Sequence, residues 1–220
     1  MTKRIKIDFV SDVACPWCVI GLGGLEAALE RLDGVVEADI AFQPFELAPD
    51  MPAGGRNKVE QLMEKYGSTR EQVAANRETI RQRAASVGFT MAQDDDSRVY
   101  NTFDAHRLLH WAGLEDRAKQ RALKHALFEA YFTRGQDPGA PEVLVEAART
   151  AGLDPEAARA VAASDRYAQE VREAEGRWRA AGISSVPAIV IDQRYLISGG
   201  QPPEAFEQAL RSIAAEGTAA

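Results

Sequence analysis

Strand-like patterning occurs at the two ends of this chain and nowhere between them, and that limits what a single core can be built from. From Lys3 to Phe9 the residues alternate, with Ile5, Ile7 and Phe9 on one side and Lys6 and Asp8 on the other. Period two is the mark of a half-buried strand. From Pro16 the spacing turns helical, with Leu22, Leu25, Leu29 and Leu32 on one stripe until Asp33-Gly34. Val35 to Phe42 is extended again and is closed by Pro44 and Pro49. Strand, helix, strand is the opening of a parallel βαβ unit. Near the other end, Ala188 to Ile191 and Tyr195 to Ile197 read as two strands around an Asp192-Gln193 turn. Gly199-Gly200 ends the second, and Pro203 to Ala214 forms a last amphipathic helix.

The middle carries only helical signals. Lys58 to Tyr66 is one helix, stopped by Gly67. Ser68-Thr69-Arg70-Glu71 has the form of a capping box with Ser68 as N-cap, opening a helix to about Val87 before Gly88. Asp94 to Asp96 reads as a solvated loop, too short for a calcium loop. Further helices are predicted over Asn101–Ala112, Glu115–Thr133, Pro141–Ala151, Pro155–Ala163 and Asp165–Ala181. Asp154-Pro155 suits an N-cap followed by proline at the first helical position. The economical arrangement is one α/β domain, residues 1–48 and 164–220, interrupted by an all-helical domain, residues 49–163.

A chain of 220 residues that is 45% hydrophobic can build such a core. Its net charge of −7 argues against nucleic acid as a partner, because neutralising phosphates needs a basic face. No run is apolar and long enough to span a bilayer. Met1 to Asp8 lacks the apolar stretch of a signal peptide, so the expected location is the cytoplasm. There a structural disulfide is uncommon, and a lone cysteine pair points to redox or catalytic chemistry.

That pair lies in Cys15-Pro16-Trp17-Cys18, between the first strand and the first helix. The thiolate is the attacking species in disulfide exchange, and a helix N-terminus favours negative charge. Cys15 is therefore expected to be exposed at the helix start as the nucleophile. Cys18, one turn in and more buried, would resolve the mixed disulfide. Pro16 suits the first turn, and Trp17 offers a flat apolar surface beside the thiols. A structural zinc site would need four ligands, and there is no second cysteine pair. Val186-Pro187 precedes the late strand. It reads either as a plain strand-start proline or as a cis peptide facing the cysteines, which would leave Val186 backbone groups free to pair with an extended substrate.

Other candidates carry less. His106 and His110 share a helix face, but no companion ligand stands at a useful spacing, so no metal is expected. His106 is expected to hydrogen-bond between the two domains. Gly21, Gly23 and Gly24 do not form a phosphate cradle and are expected to permit close helix packing. Trp111, Phe128, Tyr131 and Phe132 are expected in the core of the helical domain.

Strand, Cys15-Pro16-Trp17-Cys18, helix, a long helical stretch, then Val186-Pro187 and two strands resembles the DsbA-like thioredoxin-fold oxidoreductases. Four blocks are similar to the FrnE group within them. They are Asp12 to Cys18 with Ile20-Gly21, Phe42 to Leu47, Asn101 to Leu108, and Ser198 to Pro202. The resemblance implies a thioredoxin-like α/β fold interrupted by a helical insertion domain, with dithiol–disulfide exchange at Cys15 and Cys18. It also implies a cis Pro187 opposite the thiols, with Asn101 and His106 bordering the cleft. The implied partners are protein or small-molecule thiols and disulfides. No cofactor is implied, glutathione being the alternative co-substrate. Two departures stand out: Ser185 where the group usually has glycine, and Val19 where it often has an aromatic. Hydroxychromene-carboxylate isomerases and kappa-class glutathione transferases carry serine at the first cysteine position, and Cys15 argues against membership there. A glutathione-dependent isomerase or transferase, and a chaperone-like binding module, are the alternative functions.

Overall fold

The computed structural model describes residues 2–216. Residue 1 and residues 217–220, the outer ends of the expected α/β domain, lie outside the described residues. β1 (Lys3–Ser11) pairs in parallel with β2 (Val36–Pro44), Phe9 opposite Phe42, through the crossover helix α1 (Pro16–Arg31). On its other side β1 pairs antiparallel with β5 (Ala188–Ile191), Ile7 opposite Ile191, and β6 (Tyr195–Ser198) completes the order β2-β1-β5-β6. The β5–β6 turn places Asp192 and Gln193 at φ 48° and 57°, the left-handed pair that tight hairpins favour. Asp192 accepts the Lys6 amide at 2.8 Å through Oδ1, fastening that turn to β1.

Between β2 and β5 come α2 (Lys58–Tyr66), α3 (Arg70–Ser86), α4 (Phe103–Glu115), α5 (Arg117–Phe128), α6 (Pro141–Thr150), α7 (Pro155–Ala162) and α8 (Ala168–Ala180). α9 (Pro203–Glu216) closes the chain against α1. One core cluster joins Ile5, Ile7 and Phe9 of β1 to Leu22 and Leu25 of α1 and to Phe206 and Leu210 of α9. A second joins Leu108, Leu123, Leu127, Leu144 and Val161 within the helical layer, with Val13 reaching in from the end of β1. β2 is a sheet edge, and edge backbone needs partners. Gln120 of α5 provides one, exchanging hydrogen bonds with the Phe42 backbone and bonding the Leu109 carbonyl of α4 at 3.0 Å.

Several expectations are corrected. The capping box exists but is shifted by one residue: Thr69 is the N-cap and Gln72 its partner, while Ser68 lies outside. The helix expected over Glu115–Thr133 is divided. Asp116 caps α5 through the Ala118 and Lys119 amides, and α5 ends in a π-helical turn, Glu129–Thr133. That wider turn carries Tyr131 and Phe132 out of the helical core, and with Phe128 they join the sheet-side cluster. Trp111 stays in the helical core as expected. α4 starts at Phe103, because the Asn101 side chain accepts the Phe103 amide at 2.9 Å and so stands before it. α8 starts at Ala168, after Tyr167 at φ 65°. The two-residue ribbon β3 (Arg56–Asn57) and β4 (Arg98–Val99) is too short to show a period.

The glycines of α1 act through space. An added Cβ at Gly24 would lie 2.6 Å from the Gln201 carbonyl oxygen, and one at Gly21 would lie 3.0 Å from the Pro187 ring. Gly176 of α8 has nothing within 4 Å of the same position. Gly24→Ala is expected to lower stability by about 1–3 kcal/mol through overpacking. Gly176→Ala is expected to raise it by about 0.5–1 kcal/mol through helix propensity. Denaturant titration of both variants checks this, and equal effects would contradict it.

Candidate functional site

Cys15 is the N-cap of α1, with φ −92° and ψ 114°, and Pro16 takes the first helical position. The turn before it is fixed by the Cys15 amide donating to the Asp12 carbonyl at 3.2 Å. Both cysteines are free thiols. Cys15 is not exposed as expected: it is 3% accessible and Cys18 is 0%. The helical layer covers both, and the difference between them is what each one faces. Cys15 lies on the wall of a cleft of about 600 Å³, whereas Cys18 does not line it. The Val186–Pro187 bond is cis. The Cys15 thiol donates to the Val186 carbonyl at 3.5 Å. Of the two readings left open for this proline, the cis arrangement facing the cysteines is the one present.

Pro16, Trp17, Ser185 and Val186 line the cleft on the sheet side, and Lys58, Tyr66 and Tyr131 line it on the helical side. Pro187 stands behind it, against α1 at Gly21. Val19 is buried in the sheet-side core. Asn101 and His106 do not line the cleft. Asn101 donates to the Pro49 carbonyl at 2.8 Å and so ties loop to loop. His106 is buried with Nε2 at 3.6 Å from Asp12 Oδ1. That is too long for a hydrogen bond, and Nε2 has no hydrogen-bond partner among the described residues. His110 instead packs at a tilt of 42° against the Tyr167 ring, centroids 5.4 Å apart.

Three charged residues beside the thiols escaped the sequence reading of the site. Asp12 is buried, and its carboxylate accepts the Ala14 amide at 3.1 Å and the Leu47 amide at 2.8 Å. Burial pushes its pKa up, but His106 and the two amides outweigh that and hold it below the usual carboxylate value. Lys58 reaches Gln93 Oε1 at 2.5 Å under the Tyr131 and Phe132 rings. Burial pushes it down to about 8 against the opposing effect of Cys15. Lys124 of α5 is wholly buried, and burial pushes it down to about 8 against Cys18, Asp12 and Cys15. Cys18 is pushed well above the ordinary thiol value, by burial first and then by Cys15, with Lys124 opposing. Lys124 had a sequence signal: it occupies a position on the stripe of Gln120, Leu123, Leu127 and Phe128, all buried. A lysine on a buried stripe is a departure from helical patterning.

Because the folded-state pKa of Asp12 is depressed, its ionised form stabilises the protein above the unfolded carboxylate value, and that stability is lost as pH falls through the folded value. Asp12→Asn is expected to cost about 1–3 kcal/mol at pH 7. The gap to the parent protein is expected to shrink below about pH 4. Thermal melts across pH check this, and a gap that widens in acid would contradict it.

Comparison with known proteins places the arrangement. Residues 6–211 match the family model of the DSBA-like thioredoxin domain. The structure resembles that of a probable DsbA oxidoreductase from Streptomyces coelicolor, with 37% identity, 94% of this chain and 89% of that chain covered, and a TM-score of 0.83. The uncharacterized protein YwbO of Bacillus subtilis is 26% identical over 211 residues, covering 96% of each chain. A 2-hydroxychromene-2-carboxylate isomerase shares the fold at 15% identity, with 97% of this chain and 98% of that chain covered and a TM-score of 0.72.

Proposed function

We propose, from the premise that this chain belongs to the DSBA-like thioredoxin domain family, that it is a thiol–disulfide oxidoreductase in which Cys15 attacks and Cys18 resolves. The fold is that of the family, a thioredoxin-like α/β domain with a helical insertion. The observation that carries the reading is the unequal setting of the two thiols. Cys15 opens on the cleft beside the Val186 carbonyl, and Cys18 is sealed one turn behind it. In exchange, the Cys15 thiolate attacks one sulfur of a substrate disulfide. The substrate S–S bond breaks, one thiolate leaves, and a mixed disulfide forms. The Cys18 thiolate then attacks Cys15 Sγ, closing the Cys15–Cys18 disulfide and releasing the second substrate thiolate. Two electrons pass to the substrate, and the reverse sequence oxidises a dithiol. Backbone groups at Val186 are placed to receive an extended segment of the substrate. Pro16-Trp17 supplies no histidine charge to the thiolate, which favours reduction or isomerisation over strong oxidation.

The motif blocks support placement in the FrnE group and, with it, the cytoplasm. Among the described residues, no helix is long and apolar enough to cross a membrane. The isomerase likeness concerns the fold alone, and Cys15 stands where those enzymes carry serine, so a glutathione-dependent isomerase or transferase is the weaker reading. It predicts activity that needs added glutathione and survives loss of both thiols. A chaperone-like module predicts that the double cysteine variant still suppresses client aggregation.

Cys15→Ser is expected to reduce turnover of a protein disulfide to the uncatalysed background. Cys18→Ser is expected to accumulate a covalent, reductant-sensitive adduct at Cys15. Non-reducing electrophoresis with peptide mapping reads both. Full activity in Cys15→Ser would overturn the proposal.

A further inference from the structure

We propose that Lys124 is the proton acceptor for the resolving thiol Cys18, standing between that thiol and a second cavity that gives the proton a way out separate from the substrate cleft. The inference rests on the disulfide-exchange reading of Cys15 and Cys18.

Lysine is almost never fully buried without a partner. Lys124 is fully buried, and its Nζ makes no hydrogen bond among the described residues. The Phe128 ring, centroid 4.9 Å away, and the Phe42 ring at 5.9 Å flank it, and both belong to the core cluster that holds Cys18. The titratable groups that act on it are Cys18 and Cys15 of α1 and Asp12 at the end of β1. Asp12 acts on it from a distance and forms no ion pair with it among the described residues, its oxygens accepting two backbone amides and facing His106. An amine left unpaired beside a sealed thiol is costly as structure and suited to chemistry.

The second cavity supplies the exit. It has a volume of about 190 Å³, and Lys124, His106 and Gln120 line it with Phe42 of β2, Ala174 of α8 and the cationic rim of Arg117 and Arg177. That is room for several waters. None of its lining residues lines the cleft that holds Cys15. A proton on Lys124 therefore has a polar route to solvent that avoids the bound substrate.

In the mixed disulfide, the Cys18 thiol passes its proton through water to neutral Lys124 Nζ, to which no hydrogen bond joins it in this structure, giving the ammonium. The Cys18 thiolate attacks Cys15 Sγ, the Cys15–Cys18 bond forms, and the bond from Cys15 to the substrate sulfur breaks. The substrate leaves as a thiolate and is protonated by solvent, while Lys124 returns its proton to solvent through the second cavity. No further oxidant or reductant is consumed. Lowered to about 8, Lys124 has roughly a tenth of its amine neutral at pH 7 and more as pH rises, against a vanishing fraction for an ordinary lysine.

The test is rapid-quench kinetics with mass detection, from pH 6 to pH 10, of the reduced protein reacting with oxidised glutathione as a probe disulfide. It separates attack by Cys15 from closure by Cys18. Lys124→Met is expected to slow closure about 100-fold at pH 7, the scale of general-base catalysis, and to keep closure climbing to pH 10, where the parent levels off above about pH 8. Attack, measured in a Cys18→Ser background, is expected to be unchanged. The Lys124→Met melting temperature is expected to rise, because a buried unpaired amine is removed. Lys124→Gln is expected to slow closure in the same way. Lys124→Arg keeps a charge that cannot accept a proton, and it is expected not to restore closure. Closure at the parent rate and pH profile in the Met or Gln variant would overturn the proposal. So would full rescue by Arg, which would make the role one of charge, or failure of both Met and Gln variants to fold, which would make it structural. A parent protein that exchanges no disulfide would instead overturn the reading on which the proposal rests.

Discussion

Helix α1 has to lie close enough to the Val186–Pro187 turn for the Cys15 thiol to meet the Val186 carbonyl, and three glycines set that distance. Gly21 stands against the Pro187 ring, Gly24 against the Gln201 carbonyl, and an added Cβ at Gly200 would lie 2.8 Å from the Trp17 carbonyl. Each position is one where a side chain would push the helix off the turn. The Gly24 and Gly200 contacts draw the segment after β6 under the helix, so the C-terminal hairpin and α9 are held by the same approach. The sheet order β2-β1-β5-β6 brings this about, because β5 pairs directly beside β1, whose end leads into Cys15.

On that frame the helical layer decides what the thiols experience. α5 packs on β2 and α3 packs on α1, and Ala84 of α3, Phe128 of α5 and Tyr131 and Phe132 of the π-helical turn share the core cluster that buries Cys18. With water gone, each nearby charge counts for more. His106 and Lys124, from α4 and α5, line the second cavity, while Asp12, which faces His106, lines the cleft with Cys15, Lys58 and Tyr131. Cys15 therefore sits at a boundary between the cleft and the buried core that holds Cys18. The unequal setting of two thiols three positions apart follows from that boundary rather than from any difference in the residues themselves.

The sheet strands, the crossover helix and the cysteine pair were legible in the sequence because each carries a local signal: period two, period 3.6, or an isolated motif. The cis arrangement at Pro187 was legible only as one of two readings, since nothing local distinguishes a strand-start proline from one facing a distant thiol. Asn101 and His106 were misplaced for the same reason. Their block lies near the site in sequence pattern, but the Asn101 side chain is spent on Pro49 and the Phe103 amide, and His106 turns toward Asp12 behind the cleft. The exposure expected of Cys15 failed because a helix start is open only when nothing packs over it, and the insertion does. Lys124 could have been found as a charge on a buried stripe. Its nearness to Cys18 depends on how α5 meets β2, which no local pattern encodes.

The central claim is that packing makes the two thiols unequal. It is tested most directly by alkylating the reduced native protein with iodoacetamide and mapping the modified peptide over time. The account predicts that Cys15, open to the cleft, is alkylated while Cys18 remains protected until the protein is unfolded. Modification of Cys18 at a rate comparable to that of Cys15 in the native protein would contradict it.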